Sequence, residues 1–507
     1  MKKAIILIAL ILVAFFCLGQ VVQPIKGLLW PGLVAASDAP TLYKLIAPYK
    51  CDGTADDVQI QAAIDALPAY GGGGSVILSA GNFNIAASIN IRGSLRLKGQ
   101  GVYATRLNLA ANCDMLVYDG EATQGFFYLE YMFLNGSGFS GSGLVVNDNL
   151  WDVYLSKVFF GSFSGDAIIT DEAWGWEIIE SVIEWCGGNA FVLNGAGTGP
   201  KIANCKFIDN EKHAILLRKG GSGQFTNCEL RGLRTGVNET KVYAKLTTGK
   251  DISAWAEGDV VRNDTGAGDD WTGTVFDLYT GDRMTNAQVI VQLTTGTYDD
   301  IVIAAGIENT TQSDTTTLSA KAEYRYTAIC FEGGGGNATV TNCRMGLKTN
   351  GVGVRIDSPR NVIVGNHMYN GHTGVVATAN GVRNVITDNM LYNQSSMAFE
   401  DGDGTSVVKN NQYYVTDCSE IIDVTGDGSA TTITLNHDLD ANGPKWCDRI
   451  FQITPASAKM AAATYWISSI TSSQIVITFS AALELNEHYI FHINGFYQNR
   501  VWNLSAP

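Results

Sequence analysis

The chain has 507 residues with 56 Gly and a net charge of −15, which is length enough for two or three domains and a substantial core. With 34 Lys and Arg against 49 Asp and Glu, nucleic acid is a poor partner, because phosphate binding needs a basic footprint. The same balance disfavours unassisted capture of acidic polysaccharides, and in its plainest sense it keeps the surface soluble.

Lys2 and Lys3 precede an apolar run from Ala4 to Leu18 and then Gly19, which predicts a signal peptide or membrane anchor over 1–19. Uncut, the run is barely long enough to tether the protein to a membrane. Either outcome makes the product secreted or cell-surface. Phe16 beside Cys17 argues against a lipid-modified cysteine. Residues 20–50 carry Pro24, Pro31, Pro40 and Pro48 and read as a linker or docking arm. Asp56 and Asp57 then open a helical stretch with apolar Val58, Ile60, Ala63, Ile64 and Leu67, closed by Pro68 and the run Gly71–Gly74. A helix ahead of a strand stack is placed to cover its open edge.

Through to about residue 415 the chain repeats every 23 or 24 residues: a short apolar strand, an Asn or its stand-in, another strand, a Gly-rich turn. One column runs Ser156, Glu180, Asn204, Asn227 and resumes as Asn342, Asn366, Asn389. A period in this range signals a solenoid, and short strands with no helical periodicity between them predict a parallel β-helix over 51–415. Asn amides in such a column hydrogen-bond up the stack and satisfy inward-facing polar groups. Cys205, Cys228 and Cys343 each follow an Asn of the column and read as buried small side chains. No CxxC pair gives a zinc-site spacing, and Cys418 and Cys447 are the disulfide candidates.

The period breaks over 240–326, where LTTG occurs twice, which predicts a β-rich insertion extruded from one turn of the solenoid. Residues 416–507 alternate strands and turns, as in TITLNHDL and IVITFS, and predict an antiparallel β-sandwich.

Two resemblances rest on these residues. The series DGTADD, AIDA, a Gly run, VILSAGNF and LKGQG within 51–109 resembles the N-terminal signature of the pectate-lyase superfamily, with Ser79 at a usual Pro. It implies a right-handed parallel β-helix with an N-terminal capping helix. Residues 416–507 resemble the β-sandwich module that closes phage tail-spike and related adhesin chains, which implies homotrimer formation or glycan binding. The superfamily's catalytic motifs are not reproduced: RIDSPR (355–360) matches the lyases' Arg-Pro-Arg signature only loosely, and GHTG (371–374) is a broken form of the hydrolases' GHG. The fold hosts lyases, hydrolases, epimerases and adhesins alike.

Between Lys157 and Lys201 there is no Lys or Arg, but six acids occur: Asp166, Asp171, Glu172, Glu177, Glu180 and Glu184. Trp151, Trp174, Trp176 and Trp185 fall in the same region. Sugar rings stack their apolar faces on indole, and paired carboxylates supply a proton donor and a base or nucleophile. Aligning rungs on Ala190 and Ala214 sets Glu184 beside Ile208 and Trp185 beside Asp209. The expected catalytic pair is Glu184 and Asp209, with Glu180 and Glu211 in support and Trp174, Trp176, Trp185 and His213 contacting substrate. Asp166, Asn189 and His213 share one station in successive rungs, where polar residues also serve to pin a turn. No metal site is expected; calcium is the cation the acids would suit, without a DxDxDG loop to hold it. The expected function is binding and cleavage of a complex polysaccharide, by hydrolysis or elimination. The alternative is a non-catalytic, tail-spike-like adhesin.

Overall fold

The computed structural model describes most of residues 32–497, apart from 232–242, 264–270, 280–287, 437–448, 456–464 and shorter stretches. The segment 1–19 and the cysteines Cys418 and Cys447 lie outside the described residues. Among those described, no helix is long and apolar enough to cross a membrane.

Residues 33–414 form the expected right-handed parallel β-helix of about 11 turns. Each turn lays down three short strands, and each strand pairs in parallel with its counterpart in the next turn. One turn runs Glu177–Ile179, Val182–Glu184 and Phe191–Leu193; the next runs Lys201–Ala203, Lys206–Ile208 and Ile215–Leu217. The three stacks are here termed the first, second and third sheets. In the first two sheets only the middle residue points inward, so Ile178, Ile202 and Phe225 form one fully buried column and Ile183, Phe207 and Leu230 another. Alternation with period two explains why three residues suffice for a strand, and stacking explains why the strands persist.

Within the stretch read as a linker, Leu33–Ala35 form a buried strand that pairs with Gly74–Leu78 and so joins the solenoid. The cap helix spans Asp57–Asp65 and buries Ile60, Ala63 and Ile64, whereas Val58 is exposed rather than part of that face. Buried Asp56 accepts from the backbone N–H groups of Gly53 and Asn84, each at 2.8 Å, and Asp57 accepts from Ala86 at 2.8 Å. These carboxylates bolt the helix to the edge of the first turns.

The polar columns are sharper than the sequence suggested. Lys157, Glu180, Asn204, Asn227, Asn342, Gly365 and Asp388 share the bend between the first two sheets, all with φ between 48° and 67°. Asn, Asp and Gly tolerate this left-handed region best, which is why they recur there. Ser156, Asn366 and Asn389 therefore do not belong to that column; each is displaced by one residue. Asn366 and Asn389 instead occupy the next, inward-facing station, behind Cys205, Cys228 and Cys343. There the amides stack as foreseen: Asn366 Nδ2 donates to Asn389 Oδ1 at 3.0 Å, and Asn389 Nδ2 to Asn411 Oδ1 at 2.9 Å. The cysteines fill the same station with a weaker donor: the thiols of Cys205 and Cys228 point at the carbonyls of Ile178 and Ile202, 3.4 and 3.5 Å away. Asn366 Nδ2 meets the equivalent carbonyl of Val340 at 2.9 Å.

The insertion leaves the second sheet after Arg231, folds as a closed antiparallel barrel between Tyr243 and Tyr324, and re-enters the third sheet at Thr327. Trp255 and Trp271 fill its core. Its flank packs Tyr243, Ile290 and Tyr326 on Val192, Leu216 and Cys330, the outward residues of the third sheet. That contact explains why Phe191–Leu193 and Ile215–Leu217 are apolar at all three positions. Lys212 with Glu257, at 2.7 Å, and Lys245 with Glu332, at 3.1 Å, tie the two bodies together. Beyond residue 418, the described strands form two three-stranded antiparallel sheets.

Candidate functional site

At the corner between the second and third sheets, residues 162, 185 and 209 succeed one another in neighbouring rungs. Ser162, Trp185 and Asp209 all adopt left-handed backbone conformations there, with φ of 58°, 56° and 50°. Glu184 is the register partner of Ile208, and the Trp185 N–H donates to the Ile208 carbonyl at 3.0 Å. The alignment read from Ala190 and Ala214 is the one the backbone adopts, so Trp185 stands directly against Asp209.

Around them opens a cleft of about 520 Å³, lined by Gly138, Ser162, Phe163, Ser164, Trp185, Gly187, Asp209 and Glu211. Gly187 is required by close approach: a Cβ there would sit 2.4 Å from the Ser164 carbonyl oxygen. Trp185 is 51% exposed. A bulky side chain in the left-handed region costs on the order of 1–3 kcal/mol, and such strain persists only where the surroundings impose it. Replacing Trp185 by Asn, which accepts this backbone, should therefore raise thermal stability by about 1 kcal/mol while weakening any glycan binding. Differential scanning calorimetry beside a binding assay reads both arms.

Glu184 is not among the residues lining the cleft; it precedes Trp185 on the outer face of the second sheet. Burial, and then the negative charge of Asp209, raise its carboxyl above the ordinary Glu value of 4.5. A carboxyl held toward its protonated form in this way suits a proton donor. Because its folded value lies above the unfolded one, stability falls as pH rises through the window just above 4.5. Glu184→Gln should thus be more stable than the parent at neutral pH, with the difference vanishing below about pH 4; thermal melts across that range test it.

The remaining expected residues scatter. Glu180 lies in the bend that precedes the strand of Glu184, paired with Lys157 at 3.3 Å, and is not among the residues lining the cleft. Trp176 is fully buried and packs edge-on against Phe191, so it offers no face to a sugar. His213 is also fully buried: Asn189 Oδ1 accepts its backbone N–H at 2.9 Å, and its Nδ1 accepts from the Thr327 N–H at 3.1 Å. It continues the ladder Asp166–Asn189 and pins the corner instead of contacting substrate. Trp174 bridges to Trp151 one turn away, on the corner between the third and first sheets, and its Nε1 donates to Glu172 at 3.0 Å. Both indoles are about two-fifths exposed, at 38% and 40%.

Sequence reasoning missed Ser162, Phe163, Ser164 and Arg231. Extending the Trp185 column one turn back would have found Ser162. Arg231 lies one rung past Asp209, whose N–H donates to the Arg231 carbonyl at 3.3 Å. Its guanidinium is held charged chiefly by Glu229, with a smaller contribution from Asp209. Among the described residues no group of three His, Cys, Asp or Glu side chains is placed to hold a metal ion.

No family model matches the chain, and no curated protein matches its sequence. Among solved structures it is similar to ORF18 of Geobacillus virus E2, with 16% identity, 86% of this chain and 75% of that one covered, and a TM-score of 0.48. It is similar also to the A-module of Azotobacter vinelandii mannuronan C-5 epimerase AlgE4 (14% identity, 71% and 92% covered, TM-score 0.34). A third is a mutant tailspike protein of E. coli bacteriophage HK620, solved in complex with a pentasaccharide, at 9% identity, 87% and 90% covered, and TM-score 0.32. At these scores the likeness assigns no chemistry to the cleft.

Proposed function

We propose that the cleft binds a polysaccharide strand and that the protein hydrolyses one of its glycosidic bonds. The observation that carries this reading is the half-exposed Trp185 lining one cleft with Asp209 and Glu211, next in sequence to a Glu184 whose carboxyl is biased toward its protonated form. Glu184 would protonate the leaving oxygen; Asp209 would activate water or attack the anomeric carbon. Trp185 would hold the apolar face of the adjoining sugar. Glu211 lines the cleft and would hydrogen-bond sugar hydroxyls. In this reading the protein works outside the cell or on its surface, secreted or tethered through residues preceding the solenoid.

The exposed pair Trp151 and Trp174, remote from both carboxylates, favours a second reading: a glycan-binding adhesin without turnover. Incubation with a panel of neutral and acidic polysaccharides separates the two. Release of reducing ends supports hydrolysis, new ends absorbing in the ultraviolet support elimination, and binding with neither supports the adhesin. Homotrimer formation belongs to the same proposal, and sedimentation equilibrium of the full chain tests it.

A further inference from the structure

Between Asp65 and Asp114 the chain has no Asp or Glu but four cations: Arg92, Arg96, Lys98 and Arg106. The turns that precede the carboxylate rungs are thus basic in a chain whose net charge is −15. Folding sets two of these cations on aromatic rings: Lys98 Nζ lies 5.3 Å from the centre of Tyr131, and the Arg106 guanidinium 5.2 Å from that of Phe133. Arg96 is ion-paired with Glu130 at 2.7 Å, whereas neither Lys98 nor Arg106 forms an ion pair among the described residues. Phe133 packs on Phe159 with ring centres 4.5 Å apart, and Tyr103, 72% exposed, extends the row at 6.2 Å from Phe159. Gly161 makes room for the two phenylalanines, since a Cβ there would meet both rings at 3.1 Å. Gly161 is also the register partner of Glu184. The aromatic row therefore begins one rung from the carboxyl that the cleft chemistry uses.

We propose that this row, on the outer face of the second sheet, together with the bend that carries Tyr131 and Lys98 from the first sheet, is a subsite for a sugar unit bearing an anionic substituent, a carboxylate, sulfate or phosphate. The sugar's apolar face lies on Tyr103 and the edge of Phe133, and its charge is met by Lys98 and Arg106. Rings beneath the cations keep them in place without neutralising them. The chain's overall negative charge does not forbid this, because charges more than about 10 Å away are screened at moderate salt. The proposal rests on the glycan reading of the cleft and adds the substrate class to it: an acidic polymer lying along the basic turns, with its scissile bond at the acidic ones.

Affinity electrophoresis of the full chain through gels containing polygalacturonate, dextran sulfate, a phosphorylated mannan or neutral dextran tests it, at low and high salt. Retardation by at least one anionic polymer is expected, weakened at high salt and about tenfold weaker in Lys98→Ala/Arg106→Ala, while neutral dextran behaves alike for both proteins. Which polymer retards identifies the substituent. Retardation by no anionic polymer, or by one but undiminished in the double variant, overturns the proposal. Should the double variant lose its parent's melting transition, Lys98→Gln and Arg106→Gln taken singly replace it, under the same criteria. Running the assay on Glu184→Gln separates this from the cleavage reading. Salt-sensitive retention without any release of reducing ends supports the subsite and sinks only hydrolysis; release of ends from a neutral polymer alone does the reverse.

Discussion

Asp209→Asn and Glu184→Gln should each lower polysaccharide depolymerisation by about 10²–10⁴-fold, the range for removing a positioned acid or base. Both substitutions preserve shape, and neither residue supports the core: Glu184 and Asp209 are partly exposed at a corner whose register is set by backbone hydrogen bonds. A loss of activity would therefore report chemistry, provided the melting curve is retained. The two variants should also differ in pH dependence. With Glu184 as the proton donor proposed above, its ionisation would set the alkaline limb, so that limb should flatten in Glu184→Gln and, in Asp209→Asn, persist but move to lower pH as the charge of Asp209 is removed. If both variants degrade substrate at the parental rate, the catalytic reading of the corner is wrong. Combining them should not multiply the losses, because residues acting as a unit are not additive.

Asn366→Ala should lower unfolding stability by about 2–5 kcal/mol, the largest effect expected of any single side chain in the ladder. Asn366 is 1% exposed; its Oδ1 accepts from the Cys343 N–H at 2.9 Å, and its Nδ2 donates to Val340 and Asn389. Alanine leaves the buried Cys343 N–H without its acceptor, an orphan that costs about 1–3 kcal/mol, and removes the donor to the Val340 carbonyl and to Asn389 Oδ1, about 0.5–1.5 kcal/mol for each bond lost. Asn366→Cys should cost roughly half as much, because a thiol at this station reaches the equivalent carbonyl in Cys205 and Cys228. Urea titration of the three proteins checks the order. Equal losses for Ala and Cys would show that volume, not hydrogen bonding, is what the station requires.

The pairing of Trp185 with Asp209 was legible because a three-residue strand between fixed bends leaves the register no freedom; one aligned Ala per rung was enough. The composition of the acidic, Trp-rich stretch misled in a specific way. Consecutive residues in a solenoid turn a corner every few positions, so Trp174, Trp176, Glu180 and Trp185, close in sequence, end on one corner, in the core, on another corner and beside the cleft. His213 was misjudged for the same reason. Its station was identified, but only the stacked neighbours Asn189 and Thr327 reveal that its polar atoms serve the turn. The column of Asn366 and Asn389 slipped by one residue because Asn suits both the left-handed bend and the inward ladder beside it. Residue type alone does not separate adjacent stations.

By itself the sequence determined the stacking: a period of 23 or 24 residues, inward apolar centres and bend residues that accept positive φ leave a parallel solenoid as the way to bury so many short strands. It also determined which residues two dozen apart become neighbours. Only the tertiary structure decided which corner each side chain occupies, and that the barrel covers the outward row Val192, Leu216 and Cys330. It alone set a row of aromatic rings that begins one rung from Glu184 and leads back to Arg106, a cation without an ion pair among the described residues. The physical reason is that period fixes translation along the rod, whereas the direction in which a side chain leaves it depends on the backbone conformation at each bend.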